Sequence, residues 1–163
     1  NSNPSYNRHE TLLACTGLLS KAPSDTILVC QPNDNKVALM GELSAEYLQM
    51  KGVLGYIVDG GCRDLEFINQ IRFPVWSKFF TPRDIVGYWK PTEIGEPIKI
   101  GDVIIKNGDY LIADIDGIVI IPRANITEIL TESENLTSTE SIIRQEIRGG
   151  MDPQEAYLKY QAF

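Results

Sequence analysis

Two stretches of this 163-residue chain carry residue types and spacings that can do chemistry. The first is Val58-Asp59-Gly60-Gly61-Cys62-Arg63-Asp64. An apolar run that reads as a buried strand over 54–58 breaks into Asp-Gly-Gly, then presents a cation and a carboxylate side by side at the start of a helix. A fixed Arg beside an Asp, just past a strand end where glycines let a substrate approach the backbone, can bind a small anion and a divalent metal together. The plainer alternative is a solvated surface pair after an ordinary turn. The second stretch is Gly41-Glu42-Leu43-Ser44. A helix that opens at a glycine points unpaired N–H groups and the positive end of its dipole outward, so a carboxylate or phosphate can dock without a basic side chain. Every helix has such an end, and Gly followed by Glu is commonly a cap. The pairing carries the weight: both stretches follow consecutive strands of one α/β layer and are expected to face one crevice.

The elements that must position them alternate. Leu12, Leu13, Leu18 and Leu19 recur at helical spacing, which predicts an amphipathic helix over 8–20 after a loose opening at 1–7. A strand over 26–30, a turn cluster over 31–35, a short strand over 36–39 and a helix from Gly41 to about Met50 follow. After the strand over 54–58, residues 59–64 read as a loop, 65–70 as a short helix and 74–76 as another strand. This β-α-β-α-β rhythm marks parallel strands covered by helices. From residue 96 short strands alternate with Gly-Asp turns, a β-meander ended by Pro122. Helices close the chain over 124–163, the last opened by Asp152-Pro153 with Asp as N-cap and Pro at the first helical position. No repeat or inter-domain linker interrupts the sequence, so one domain over 1–163 is expected.

Composition removes several function classes. A formal net charge of −7 with scattered Lys and Arg leaves no patch to neutralise a phosphate backbone, so nucleic acid is not an expected partner. Cys15, Cys30 and Cys62 are far apart and lack metal-type Cys-x-x-Cys spacing, which suits reduced thiols in a cytoplasmic protein. No apolar run reaches the roughly 18 to 20 residues needed to cross a bilayer, and no charged-then-apolar signal opens the sequence. Neither membrane spanning nor secretion by that route is expected. His9 is the only histidine, which argues against a Ser-His-Asp hydrolase or a histidine general base.

Gly41-Glu42-Leu43, Lys51-Gly52-Val53-x-Gly55, Val58-Asp59-Gly60-x-x-Arg63-Asp64 and Pro74-Val75-Trp76 together resemble the family of RraA-like proteins and 4-hydroxy-4-methyl-2-oxoglutarate aldolases. The later Gly108-Asp109-Tyr110-x-x-Ala113-Asp114-x-Asp116-Gly117 and Arg148-x-Gly150-Met151-Asp152-Pro153 are similar to the same family, so the likeness covers nearly the whole chain. The resemblance implies a layered swivelling β/β/α sandwich and a metal-dependent lyase that cleaves 4-hydroxy-2-oxo acids to pyruvate, in some members also decarboxylating oxaloacetate. It implies that Asp64 holds Mg²⁺ or Mn²⁺, that Arg63 contacts substrate oxygens, and that the backbone N–H groups of Gly41, Glu42, Leu43 and Ser44 take the substrate carboxylate. Carbon–carbon cleavage leaves an enolate, whose charge a metal ion and an Arg would stabilise. A homotrimer or dimer of trimers is implied as well. The resemblance further implies a β-α-β segment ahead of the helix near residue 8, for which these residues show no counterpart. Acidic residues that help order water at the metal are therefore expected from that segment or a neighbouring subunit, and proton transfer from such water or a carboxylate. The same family includes inhibitors of ribonuclease E, so a protein-binding regulator, for which an acidic surface suits basic partner segments, is the alternative. A degenerate scaffold kept for assembly is a third reading.

The remaining motifs read as structural. Arg83-Asp84 repeats the Arg-Asp pair after Thr81-Pro82 and is expected to be loop, structural or peripheral to substrate. Asp102, Asp109, Asp114 and Asp116 each sit in Gly-Asp or Asp-Gly turns, where Asp is expected for backbone reasons. Cys62 beside Arg63 invites a lowered thiol pKa, but no His partner supports a nucleophile. Ala156, Tyr157, Tyr160 and Phe163 form an aromatic stripe expected to pack on the body or on a neighbouring subunit.

Overall fold

Asn7 starts the first helix by a reciprocal cap: its side chain accepts from the Glu10 N–H at 2.8 Å while the Glu10 carboxylate accepts from the Asn7 N–H at 3.1 Å. The structure, a computed structural model, describes residues 6–163, so most of the opening expected to be loose lies outside the described residues. The chain divides into two compact units, one ending at Ile104 and one running from Ile105 to Phe163.

In the first unit the order is α1 (Arg8–Lys21), β1 (Ile27–Cys30), β2 (Ala38–Met40), α2 (Glu42–Met50), β3 (Gly55–Cys62), α3 (Leu65–Ile71) and β4 (Val75–Phe80). All four strands are parallel, as the alternation predicts. β3 is the organising strand. β1 pairs with its first half, from Gly55 to Val58, and β2 with its last residues, Gly61 and Cys62, while β4 follows it from Tyr56 to Cys62. Met40, Ala45, Leu48, Tyr56, Val58 and Ile68 form the centre of the core between this sheet and α2 and α3. α1 contributes less than its leucines suggest: Leu19 packs against the core, whereas Leu12 and Leu13 stay exposed.

The structure corrects the loop expected over 59–64. β3 continues through Asp59, Gly60 and Gly61 to Cys62. These glycines serve lateral crowding rather than a turn. A Cβ on Gly61 would sit 2.5 Å from the Val37 carbonyl oxygen and 2.8 Å from Phe79 Cε2, and one on Gly60 would sit 2.8 Å from Pro32 Cγ. The ladders to β2 and β4 shift register at this place, which is the bulge that a glycine inside a strand often marks. Gly61→Ala is accordingly expected to destabilise the protein by about 1–3 kcal/mol, because a backbone oxygen cannot move aside as a side chain can. Urea denaturation checks this, and an unchanged midpoint refutes the crowding argument.

β5 (Ile98–Ile100) pairs with β6 (Val103–Ile105), and β7 (Tyr110–Ala113) pairs antiparallel with β8 (Ile118–Ile121). The expected meander is therefore two separate two-stranded sheets. Asp109 explains the break between β6 and β7: it accepts from the Lys106 N–H at 2.8 Å and the Arg123 N–H at 3.1 Å, tying the start of β7 to the end of β8. Asp114 closes the β7–β8 turn by accepting from the Asp116 N–H at 2.8 Å and the Gly117 N–H at 3.2 Å, so these aspartates are turn formers.

A short 3₁₀ turn leads into α4 (Ile126–Arg148), and α5 (Pro153–Tyr160) ends the described elements. Asp152 caps α5 through the Gln154 and Glu155 N–H groups, with Pro153 at its start. Of the aromatic stripe, Ala156 is buried and the Tyr160 hydroxyl donates to Glu146 on α4 at 2.9 Å, while Tyr157 and Phe163 remain exposed. No helix among the described residues is long and apolar enough to cross a membrane.

Candidate active site

The register of β2 against β3 aligns Met40 with Cys62, and so delivers the residues that follow each strand to one place. The Arg63 N–H donates to the Met40 carbonyl at 3.0 Å, fixing the two strand ends together. Gly41 then lies directly against the Arg-Asp pair. A Cβ there would sit 2.7 Å from Asp64 Oδ2 and 2.9 Å from Arg63 Nε, so glycine leaves room for both side chains where they lie. Its φ of −151° is ordinary extended backbone, and space rather than conformational freedom selects it.

Asp64 is the N-cap of α3, yet its side chain makes no capping bond to that helix. It adopts the left-handed region at φ 60°, a conformation that Asp tolerates better than most residues. Oδ2 instead accepts from the Glu42 N–H at 3.1 Å, at the positive end of α2, and lies 3.4 Å from Arg63 Nε. Oδ1 accepts no hydrogen bond among the described residues. On its other flank Arg63 Nη1 donates to Asp84 Oδ2 at 2.8 Å. The three side chains are each roughly one-third to one-half exposed, so these pairs add only about 0–1 kcal/mol apiece to stability. Their arrangement leaves one cation between two carboxylates at the opening of a helix.

The structure thus brings together Gly41, Glu42, Arg63 and Asp64 as their spacing suggests, and adds Asp84. Asp84 lies in a loop, as its sequence context predicts for a structural or substrate-peripheral residue; the one hint of its place beside Arg63 is that Arg83-Asp84 repeats the Arg-Asp pair. The amides expected to face a carboxylate are not all open. Glu42 gives its N–H to Asp64, while Leu43 and Ser44 precede the first bond within α2, which Ala45 N makes to Gly41 O at 3.0 Å. The Leu43 side chain is exposed beside them.

Cys62 is buried, and its thiol is pushed up to about 11, chiefly by that burial, with a backbone contact to Arg63 only partly opposing it. A thiol held protonated is a poor nucleophile, which closes the reactive-cysteine reading. His9 lies exposed on α1. Among the described residues no group of three or more His, Cys, Asp or Glu side chains is placed to hold a metal ion by protein ligands alone.

Residues 7–120 match the sequence model of the RraA-like family, described as Aldolase/RraA. An uncharacterized protein of Methanocaldococcus jannaschii is 33% identical over 120 residues, covering 72% of this chain and 56% of its own length. The chain therefore spans little more than half of that relative. A 4-hydroxy-4-methyl-2-oxoglutarate aldolase of Thermus thermophilus is 30% identical over 88 residues, covering 54% of this chain and 53% of its own. Among solved structures, Streptomyces coelicolor RraAS2, named as an unusual member of the RNase ES inhibitor RraA family, superposes with a TM-score of 0.75 at 26% identity over 82% of this chain and 69% of its own. The match of the family model to well over half of the chain, on a fold shared with a solved RraA-family protein, establishes that the chain belongs to the RraA-like (Aldolase/RraA) family.

Proposed function

We propose that the Arg63–Asp64 site is the catalytic centre of a divalent-metal-dependent lyase that cleaves 4-hydroxy-2-oxo acids to pyruvate, with oxaloacetate decarboxylation as a second reaction of the same site. The observation that carries this reading is the convergence, against Gly41, of a guanidinium, a carboxylate and the N-terminus of α2. A surface ion pair needs no such glycine.

The donor set fits a hydrated Mg²⁺ or Mn²⁺. Such ions take oxygen ligands and commonly keep several waters, needing only one or two carboxylates from the protein, and Asp64 offers Oδ1. When bound, the metal would supply positive charge for the enolate that develops as the carbon–carbon bond breaks. The remaining work falls to the chain itself. Arg63, with Nε and one Nη1 hydrogen turned to aspartates, keeps donors for substrate oxygens. The Leu43 and Ser44 N–H groups are suited to the substrate carboxylate, where the α2 dipole favours negative charge. The test is pyruvate release from oxaloacetate and from a 4-hydroxy-4-methyl-2-oxo acid with Mg²⁺ or Mn²⁺. No release, or release that EDTA leaves unchanged, overturns the reading.

A non-catalytic regulator that binds a ribonuclease is the second reading, favoured by the RNase-inhibitor neighbour and by the net charge of −7. It gives no role to the space kept open at Gly41. A degenerate scaffold gives none either.

We also propose a homotrimer, alone or paired. On the second unit Tyr110, Ile112, Ile115 and Val119 are all at least half exposed on or beside one β-hairpin, an apolar concentration that suits a subunit contact. Sedimentation at micromolar concentration is expected to give a mass three or six times that of the chain, and a clean monomer refutes it.

A further inference from the structure

We infer that Asp84 is a positioning residue for Arg63, holding its guanidinium in the orientation that meets substrate; the inference rests on the lyase reading of this site. Asp84 lies in the segment after β4, and neighbouring backbone pins that segment on two sides. The Thr81 N–H donates to the Cys62 carbonyl at 3.1 Å, and the Arg83 carbonyl accepts from the Ala38 N–H at 2.9 Å, so the segment is stitched to the ends of both β3 and β2. These are the strands that deliver Arg63 and Gly41. The carboxylate inherits that fixed frame.

The two aspartates flanking Arg63 are not equivalent. Asp84 uses both oxygens within the protein: Oδ1 accepts from the Val86 N–H at 2.7 Å and Oδ2 from Arg63 Nη1 at 2.8 Å. Asp64 uses Oδ2 alone, toward Glu42 N and Arg63 Nε. The division suits one carboxylate for a ligand and the other for orientation. Arg63 needs such a partner, because its side chain is 38% exposed and otherwise free to sample rotamers in solvent. Contacts at Nε and at Nη1 fix the plane of the guanidinium. The Nη1 and Nη2 hydrogens not taken by the two aspartates are then held as donors for substrate oxygens.

The test is a double-mutant cycle on the full chain with Mg²⁺, reading kcat and KM for oxaloacetate, together with calorimetric titration of oxalate, a stable planar mimic of the pyruvate enolate. Asp84→Ala is expected to lower kcat by about tenfold to a hundredfold, the usual cost of removing a partner that orients an active-site group, and to weaken oxalate binding. Asp84→Asn, which keeps an acceptor oxygen at the same place, should recover much of the loss. The Arg63→Lys, Asp84→Ala double variant should be no slower than Arg63→Lys alone, since Asp84 acts only through Arg63. Should Asp84→Ala fail to fold, the same cycle run with Asp84→Ser, which can still accept from the Val86 N–H but is too short to meet Arg63, reads the coupling. Losses that multiply independently, or an Asp84→Ala variant with parental kcat and oxalate affinity in an active parent, overturn the positioning role alone. A parent that neither turns over oxaloacetate nor binds oxalate overturns the lyase reading and this inference with it.

Discussion

Asp64→Ala is expected to abolish metal-dependent pyruvate release, by about a thousandfold or more, while the protein still folds. The expected loss combines two functions in one side chain. Oδ1 is the oxygen offered to a metal, and Oδ2 holds both the α2 amide of Glu42 and Arg63 Nε, so its removal also releases Arg63 on one side. A metal's share of the transition-state charge is worth several kcal/mol, and each 1.36 kcal/mol is about a factor of ten in rate. Stability should fall far less. The side chain is about one-third exposed and its ion pair is weak, so the main cost is placing Ala at φ 60°, about 1–2 kcal/mol. Asp64→Asn separates these effects, since Asn tolerates the left-handed region and keeps an acceptor for Glu42 N–H but loses the charge. Parallel melting curves and pyruvate assays decide: an Asp64 variant that matches the parent removes the metal role.

Arg63→Lys is expected to lower kcat by about a hundredfold to a thousandfold, the scale seen when a donor to a developing negative charge is lost. The substitution retains charge, so a purely electrostatic role would be largely preserved. Lysine, however, has a single ammonium in place of a planar fork and cannot meet Asp64, Asp84 and a substrate from three edges at once. The loss should fall mainly on kcat rather than KM if the fork acts on the reacting group. Near-parental turnover by the Lys variant would reduce Arg63 to a surface ion-pair partner between two aspartates.

Much of the layout is legible in the residues. The alternation of apolar runs with helical periodicity predicts α2, β3, α3 and β4 in order and in parallel, and Asp152-Pro153 marks the start of α5 to the residue. Those features are local: a strand's apolar run, a cap's side-chain oxygen and the fixed φ of proline act within a few residues. The turn aspartates Asp109 and Asp114 read correctly for the same reason, since each bonds to backbone close by in sequence. Residue types and their place after a strand single out Arg63 and Asp64, the resemblance supplies the roles expected of them, and the pairing with Gly41 suggests that it meets them.

What the residues did not disclose depends on neighbours distant along the chain. Asp-Gly-Gly looks like a turn because glycine commonly makes one, yet Gly60 and Gly61 lie within β3, where Pro32, Val37 and Phe79 come too close for a Cβ. Asp84 stands 21 residues after Arg63 and reaches it only because β4 returns alongside β3 in parallel register. The same holds for Glu42, whose amide meets Asp64 and so is withdrawn from the ligand-binding set. Sequence by itself determined which residues carry charge, the order of most strands and helices, and where the Asp152 cap and the Asp109 and Asp114 turns fall, because those follow from local sterics and side-chain chemistry. Tertiary structure decided which charges share a site and which amides stay open, because strand register brings atoms from separate segments within hydrogen-bonding distance, and no local rule contains that register.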